Sequence, residues 1–318
     1  MLRNRNHFQL ILALIIIFQS IVFQSCKTNT SLYFNQSLPK DTPELFAISQ
    51  VNTADIELNV VFNSTYTEMF FSRIVDGSFV IHNSELIDGI WSPIRPIQMY
   101  TDSILISVAC DPTITQDGNT MYFLGVDPKN YSNDVSLEEL YRIPPDVYLS
   151  KKINGKWQIA SKVESPVSTK HIESYPIVVA DGSLYFLSVR PKDIGGRDIL
   201  RSQYMGGGKF DTPVSVNLNS NKNFGSTYVS PNEDYLILSN RKGFKIAFKE
   251  DDKWGIPVNI KLPYEDDWAY YCPYMSPDEK YFFFSRKYNG SKKKGWAGVT
   301  KSEVYWVSTD AIFSLKPK

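Results

Sequence analysis

In a chain of 318 residues, 34 basic side chains stand against 34 acidic ones. This leaves no cationic excess to neutralise phosphates, which excludes a nucleic acid as the natural partner. Three cysteines and three histidines are scattered without zinc-ligand spacing, which excludes a structural zinc site, and the length suffices for one large domain with a substantial core.

Met1 to Ser25 opens with Arg3 and Arg5 and continues in an apolar run from Phe8 to Phe23, nearly unbroken between Leu10 and Phe18. The core of this run is shorter than the roughly 20 apolar residues a spanning helix needs, so it reads as a secretory signal. Its end, Ser25-Cys26, resembles the lipobox of bacterial lipoproteins, with Phe23 and Gln24 departing from the tightest form of that motif. The resemblance implies cleavage after Ser25 and a diacylglycerol on the Cys26 thiol. A signal cut without lipidation and an uncleaved anchor are the alternatives. Residues 26–42, which include Lys27-Thr28-Asn29-Thr30-Ser31, read as a polar tether, and 43–318 as the folded domain.

Beyond the tether one grammar recurs: a polar turn, an apolar-aromatic strand, a further strand and a lone aromatic shortly before a proline. The turns are Asn63-Ser64-Thr65-Tyr66, Gln116-Asp117-Gly118, Ala180-Asp181-Gly182, Ser230-Pro231-Asn232-Glu233 and Ser276-Pro277-Asp278-Glu279. Proline presets a turn dihedral and Asp or Asn bonds its own backbone, so these read as chain reversals. After them come the strand pairs Glu68 to Ser72 with Phe79 to Ile81, Met121 to Leu124 with Asp146 to Ser150, and Ser183 to Ser188 with Asp198 to Ser202. Asp234 to Ser239 with Lys245 to Phe248 and Tyr281 to Ser285 with Glu303 to Ser308 complete the series. Runs such as Tyr281-Phe282-Phe283-Phe284 suit strands buried on both faces.

Outer strands are expected at Gly89-Ile90-Trp91-Ser92-Pro93, Gly155-Lys156-Trp157-Gln158, Gly208-Lys209-Phe210-Asp211-Thr212-Pro213 and Asp252-Lys253-Trp254-Gly255-Ile256-Pro257, where a free edge tolerates proline. The last repeat lacks one. Pro43-Glu44-Leu45-Phe46-Ala47-Ile48-Ser49 has the same character, and we expect it to pair with the last repeat and latch the ring. A period of about 45 to 65 residues fits one four-stranded blade, so the expected fold is an all-β propeller of four-stranded antiparallel blades, five favoured and six the alternative, closed by an N-terminal strand.

The Ser-Pro-Asp-Glu turn, the aromatic strand and the terminal Tyr305-Trp306-Val307-Ser308 resemble the WD40-like repeat of TolB-type β-propellers, particularly single-domain lipoproteins of Bacteroidetes-type bacteria. The resemblance covers nearly all of the mature chain and implies a binding or scaffolding role in the envelope, although that family often has six blades. In it an acidic residue often stands three positions before the inner-strand proline. Glu173 keeps this place before Pro176, and Glu57 occupies it in the first repeat, whereas Ala109, Phe224 and Tyr270 depart.

Glu57, Glu173 and Asp111 are therefore the candidate channel carboxylates. They would serve either as a glycosidase-like acid and base set or, the reading we prefer, as structural acceptors for backbone amides. Trp268, Tyr270 and Tyr271, beside Asp266 and Asp267, would stack on a sugar or grip a peptide, or else pack between blades. Cys110 and Cys272, in different repeats, are expected as buried free thiols. No Gly-x-Ser-x-Gly elbow occurs, Gly206-Gly207-Gly208 reads as a hairpin, Asp193 and Asp198 as turn acids, and Lys292-Lys293-Lys294 as a solvated loop tip. The combined expectation is an outer-membrane lipoprotein, periplasmic or surface facing. It would act as a monomeric, non-catalytic module that needs no cofactor and binds another envelope protein or a glycan. A carbohydrate-active hydrolase or lyase is the alternative.

Overall fold

The computed structural model describes residues 29–316 except 103, 107, 127–128, 130–138, 140–142, 190–196, 219–223, 241 and 292–294. The signal segment, Cys26, Asp193, Gly195-Gly196 and the basic run 292–294 lie outside the described residues. The described chain is all-β apart from short helical turns.

Five antiparallel meanders follow one another. Sheet one comprises Ile56–Phe62, Glu68–Val75, Ser78–Ile87 and Arg95–Pro96. Sheet two comprises Ala109–Ile114, Thr120–Gly125, Asp146–Ile153 and Ser161–Lys162. Sheet three is built from Ile172–Val178, Leu184–Val189, Arg197–Ser202 and Val214–Ser215. Sheet four holds Thr227–Val229, Tyr235–Ser239, Phe244–Glu250 and Val258–Asn259. Sheet five holds Trp268–Met275, Tyr281–Tyr288 and Lys301–Ser308, and its fourth strand is Glu44–Leu45, paired as Glu44 with Trp306 and Leu45 with Tyr305.

The turn between first and second strands has the same backbone in every sheet. Its fourth residue is left-handed: Tyr66 (φ 57°), Gly118 (φ 73°), Gly182 (φ 86°), Glu233 (φ 60°) and Glu279 (φ 57°). Glycine adopts this conformation freely, whereas Tyr66, Glu233 and Glu279 are held there by the surrounding ladder.

The outer strands differ from the sequence expectation. Trp91, Trp157 and Trp254 belong to two-residue hairpin tips paired back on the third strand, and Phe210 to a hairpin with Tyr204. The fourth ladder strand begins four residues or so later. The cause is the turn Asp88-Gly89 (φ 51° and 80°) and its counterpart Asn154-Gly155 (φ 51° and 74°), whose paired left-handed residues close a tight hairpin before the chain reaches the edge.

Second-strand side chains alternate between neighbouring sheets, as a two-residue period requires. Phe282 and Phe284 pack toward sheet four while Tyr281 and Phe283 pack toward sheet one. Likewise Leu184 and Phe186 face sheet two, and Tyr185 and Leu187 face sheet four. Each fully buried ring stabilises by about 1.5–3 kcal/mol relative to exposure, which is why unbroken aromatic runs fold here as strands with no solvent face.

Each first strand touches the first strand of the next sheet, and that of sheet five touches that of sheet one, giving a propeller-like arrangement about a common axis. Sheet five meets sheet one through a single parallel bridge, Ile56 to Ser302. The buried Asn52 side chain fixes the same seam, its Nδ2 donating to the Val304 and Phe46 carbonyls (2.8 and 2.6 Å) and its Oδ1 accepting from the Val304 N–H (2.8 Å).

Residues 29–42, read from the sequence as tether, run along the body from Asn29 onward. Tyr33 is 0% exposed, set edge-on to Phe62, Tyr66 and Tyr281, with its hydroxyl 2.8 Å from that of Tyr66. Gln36 bridges the Leu45 carbonyl (2.6 Å) and the Ala47 N–H (2.7 Å), and the Lys40 carbonyl accepts from the Ser308 N–H (3.0 Å).

Candidate functional site

Where the first strands converge they enclose a cavity of about 230 Å³. Its wall is built from one recurring position, the residue just before the inner-strand proline or its equivalent: Asn59, Asp111, Tyr175, Ser226 and Cys272. Four of these have positive φ (57°, 53°, 53° and 48° for Asn59, Asp111, Tyr175 and Cys272), each at a register shift in its ladder. Such bulges re-aim a side chain and store strain of about 1–3 kcal/mol that the rest of the fold must offset.

Neighbouring sheets hold them in place through buried serines. The Asn59 N–H donates to Ser285 Oγ (3.1 Å), the Asp111 N–H to Ser72 Oγ (3.1 Å) and the Cys272 N–H to Ser226 Oγ.

Asp111 is the centre of this arrangement. Its Oδ1 accepts from Asn59 Nδ2 at 3.3 Å and faces the Cys272 thiol at 3.8 Å, while its Oδ2 faces the Cys110 thiol at 3.8 Å. It makes no ion pair among the described residues. Burial pushes its carboxyl up to about 6, against the opposing pull of Asn59, of the two thiols and of the Lys287 ammonium. Burial, reinforced by Asp111, also raises both thiols, and desolvation raises the hydroxyls of the partly buried Tyr175 and the buried Tyr271 beside them. Both cysteines are free and buried. They converge on one carboxylate because Cys110 precedes the bulge in its strand while Cys272 occupies it.

A second, mainly apolar cavity of about 200 Å³ lies on the other side of Asp111 and Tyr175, walled by Leu58, Phe79, Val108, Leu124 and Trp296.

Glu57 and Glu173 stand apart from both cavity walls, each 0% exposed. Glu57 accepts from Thr53 Oγ1 (2.5 Å) and Arg73 Nε (3.1 Å), and its Oε2 has no partner; burial raises its carboxyl against the pull of Thr53 and Arg73. Glu173 accepts from the Thr169 N–H (3.0 Å), the Thr169 hydroxyl (2.9 Å) and Ser188 Oγ (3.1 Å). Both acids thus clamp the strand entry through a threonine four residues upstream.

The three aromatic candidates are also separated. Trp268 is half-buried under the Arg286 guanidinium, 4.1 Å from its ring. The Tyr270 hydroxyl accepts from the Glu265 N–H (2.7 Å) and its ring meets Tyr264 edge-on. Tyr271 bonds Ser302 Oγ and packs edge-on to Trp296.

Of the residues on the axial wall, Asp111 alone was a candidate from the sequence. Asn59, Tyr175 and Thr227 were not, although the X-Pro step repeated at Asp111-Pro112, Tyr175-Pro176 and Cys272-Pro273 marks the position. Among the described residues no group of three or more His, Cys, Asp or Glu could hold a metal ion.

No protein-family model matches the chain, and no curated protein does. Solved structures with a similar fold include TolB from Acinetobacter baumannii, at 13% identity over 80% of this chain and 55% of that one with TM-score 0.45. A protein of unknown function from Dyadobacter fermentans is 14% identical over 79% of each chain, TM-score 0.45. The catalytic domain of a Coprinopsis cinerea GH62 α-L-arabinofuranosidase is 11% identical over 85% of this chain and 94% of that one, TM-score 0.49. The chain spans about half the length of the Acinetobacter TolB. At these identities the likeness is one of fold alone.

Proposed function

We propose that this chain is a lipid-anchored protein of the bacterial cell envelope, a TolB-type β-propeller of five blades closed by its N-terminal strand, acting as a non-catalytic module that binds another envelope protein or a glycan. The observation that carries the non-catalytic part is the axial wall. Glycoside hydrolysis in its common forms needs two carboxyl groups across the sugar. Among the described residues Asp111 is the one acid lining this cavity, while Glu57 and Glu173 lie apart from it and are committed to threonines. Five meanders in cyclic contact and the pairing of Glu44–Leu45 with the last sheet support the blade count and the closure. Lipidation rests on the Ser25-Cys26 junction. Tyr33 is anchored seven residues after Cys26, so an acylated thiol would hold the body within about 25 Å of the bilayer surface at 3.3–3.6 Å per residue.

Two measurements test this. Metabolic labelling with a palmitate analogue should mark the wild type and not Cys26→Ala. Purified protein assayed on aryl glycosides and a glycan array should show no turnover. Turnover abolished by Glu57→Gln and Glu173→Gln with unchanged melting would establish the hydrolase instead.

A further inference from the structure

The axial cavity holds more chemistry than a structural pore requires. Among the described residues lining it, Asp111 alone carries a charge, with no lysine, arginine or histidine beside it on the wall. A buried carboxylate normally takes a full set of strong donors or an ion pair. Asp111 has two thiols at 3.8 Å, which are weak donors, and one amide at 3.3 Å. Independently, Thr227, 5% exposed, lines the same cavity with a hydroxyl that has no hydrogen-bond partner. The rest of the wall mixes three tyrosines (Tyr175, Tyr228, Tyr274) with aliphatic side chains, prolines and neutral polar groups, and the cavity reaches the exposed turn residues Ser64 and Gln116, which give an entrance.

One carboxylate with no cation on the cavity wall, where the nearby Lys287 ammonium lies over the Trp296 ring at 3.6 Å, together with tyrosines, a spare hydroxyl and apolar side chains, matches an ammonium head on a compact apolar body. We propose that the axial cavity binds a small organic cation, a primary or secondary amine in its protonated form, with its nitrogen on the Asp111 carboxylate. A space of about 230 Å³ is of the order of the roughly 150 Å³ cavity that accepts a benzene ring, so the ligand expected is a small one, such as a single ring with its substituent. The proposal does not depend on a protein or glycan partner.

The test is calorimetric titration of the folded protein near neutral pH with methylamine, cyclohexylamine and benzylamine, with cyclohexanol as the neutral shape control and potassium chloride as the inorganic cation. The expected result is saturable binding of at least one ring-bearing amine, at least tenfold tighter than cyclohexanol and unaffected by potassium at equal ionic strength. Asp111→Asn should remove that preference, and Thr227→Val should weaken the amine severalfold. Equal binding of cyclohexanol, or no saturable binding by any of the three amines, overturns the proposal. If circular dichroism shows that Asp111→Asn does not fold, the amine-against-cyclohexanol ratio of the wild type decides alone.

Discussion

Replacing Asp111 by Asn gives a sharp reading of the axial site without any ligand. Asparagine keeps the shape, accepts from Asn59 Nδ2 in the same way, and tolerates the left-handed backbone at this position better than most residues. What changes is the charge. The Asp111 carboxyl sits at about 6 in the fold instead of its ordinary 3.8, so the folded state binds the proton more tightly than the unfolded chain does. Its favourable contribution is therefore complete below about pH 4 and is lost as pH rises through about 6. At roughly 1.4 kcal/mol per pH unit the displacement corresponds to about 3 kcal/mol. The stability of Asp111→Asn relative to wild type should thus rise by about 2.5 kcal/mol of this between about pH 4 and pH 7.5, whatever the constant offset between the two proteins. Urea unfolding followed by tryptophan fluorescence at several pH values in that window supplies the comparison, and taking the difference removes the titration of every other group. Parallel pH profiles, differing by less than about 0.5 kcal/mol across the window, would refute the argument that this carboxyl is buried without adequate partners.

Other substitutions probe the seams. Asn52→Ala takes the Asn52 acceptor from the buried Val304 N–H and the Asn52 donor from the Phe46 carbonyl, while the Val304 carbonyl keeps the Phe46 N–H, and should cost about 1–3 kcal/mol in urea unfolding; a loss below about 0.5 kcal/mol would mean that the side chain is not what holds the seam. A chain beginning at Val51 loses Tyr33 and Phe46, both 0% exposed, at about 3–5 kcal/mol each. That sum rivals the whole stability of a domain, so its circular dichroism melt should lose cooperativity, and an unchanged midpoint would contradict the latch. Glu173→Gln places an amide donor among three donors and should destabilise by about 1–3 kcal/mol, while leaving any amine binding at Asp111 unchanged in titration.

The repeat unit was legible because its signals are local and periodic. Polar turns followed by unbroken aromatic runs have one economical solution, a strand between two neighbours, and Phe70 and Phe71 indeed face opposite seams. The outer strands were misplaced because a tryptophan drew the strand to itself, while the Asp88-Gly89 and Asn154-Gly155 steps beside it already specified hairpins. Leu32-Tyr33-Phe34 is a short apolar triplet in an otherwise polar stretch, and nothing local says that a distant cluster leaves a gap for the Tyr33 ring. The meeting of Asn59, Cys110, Asp111 and Cys272 was out of reach for the same reason. It depends on how distant sheets close on one axis, bringing together Asp111 and Cys272, 161 residues apart, and the one-residue offset between the two cysteines becomes meaningful only after the bulges are in place.

The seam between the two chain ends also constrains how the molecule comes into being. Asn52 and Val304 are 252 residues apart, and a chain growing from its amino end at about 5–20 residues per second would have made the first sheet long before the last one exists. During that interval Ile56–Phe62 presents a bare ladder edge, and Met69 and Phe71 lack the aromatic partners they finally meet. Synthesis thus sets a minimum waiting time of about 10–50 seconds at those rates, through which the nascent sheet must be shielded from pairing with another copy.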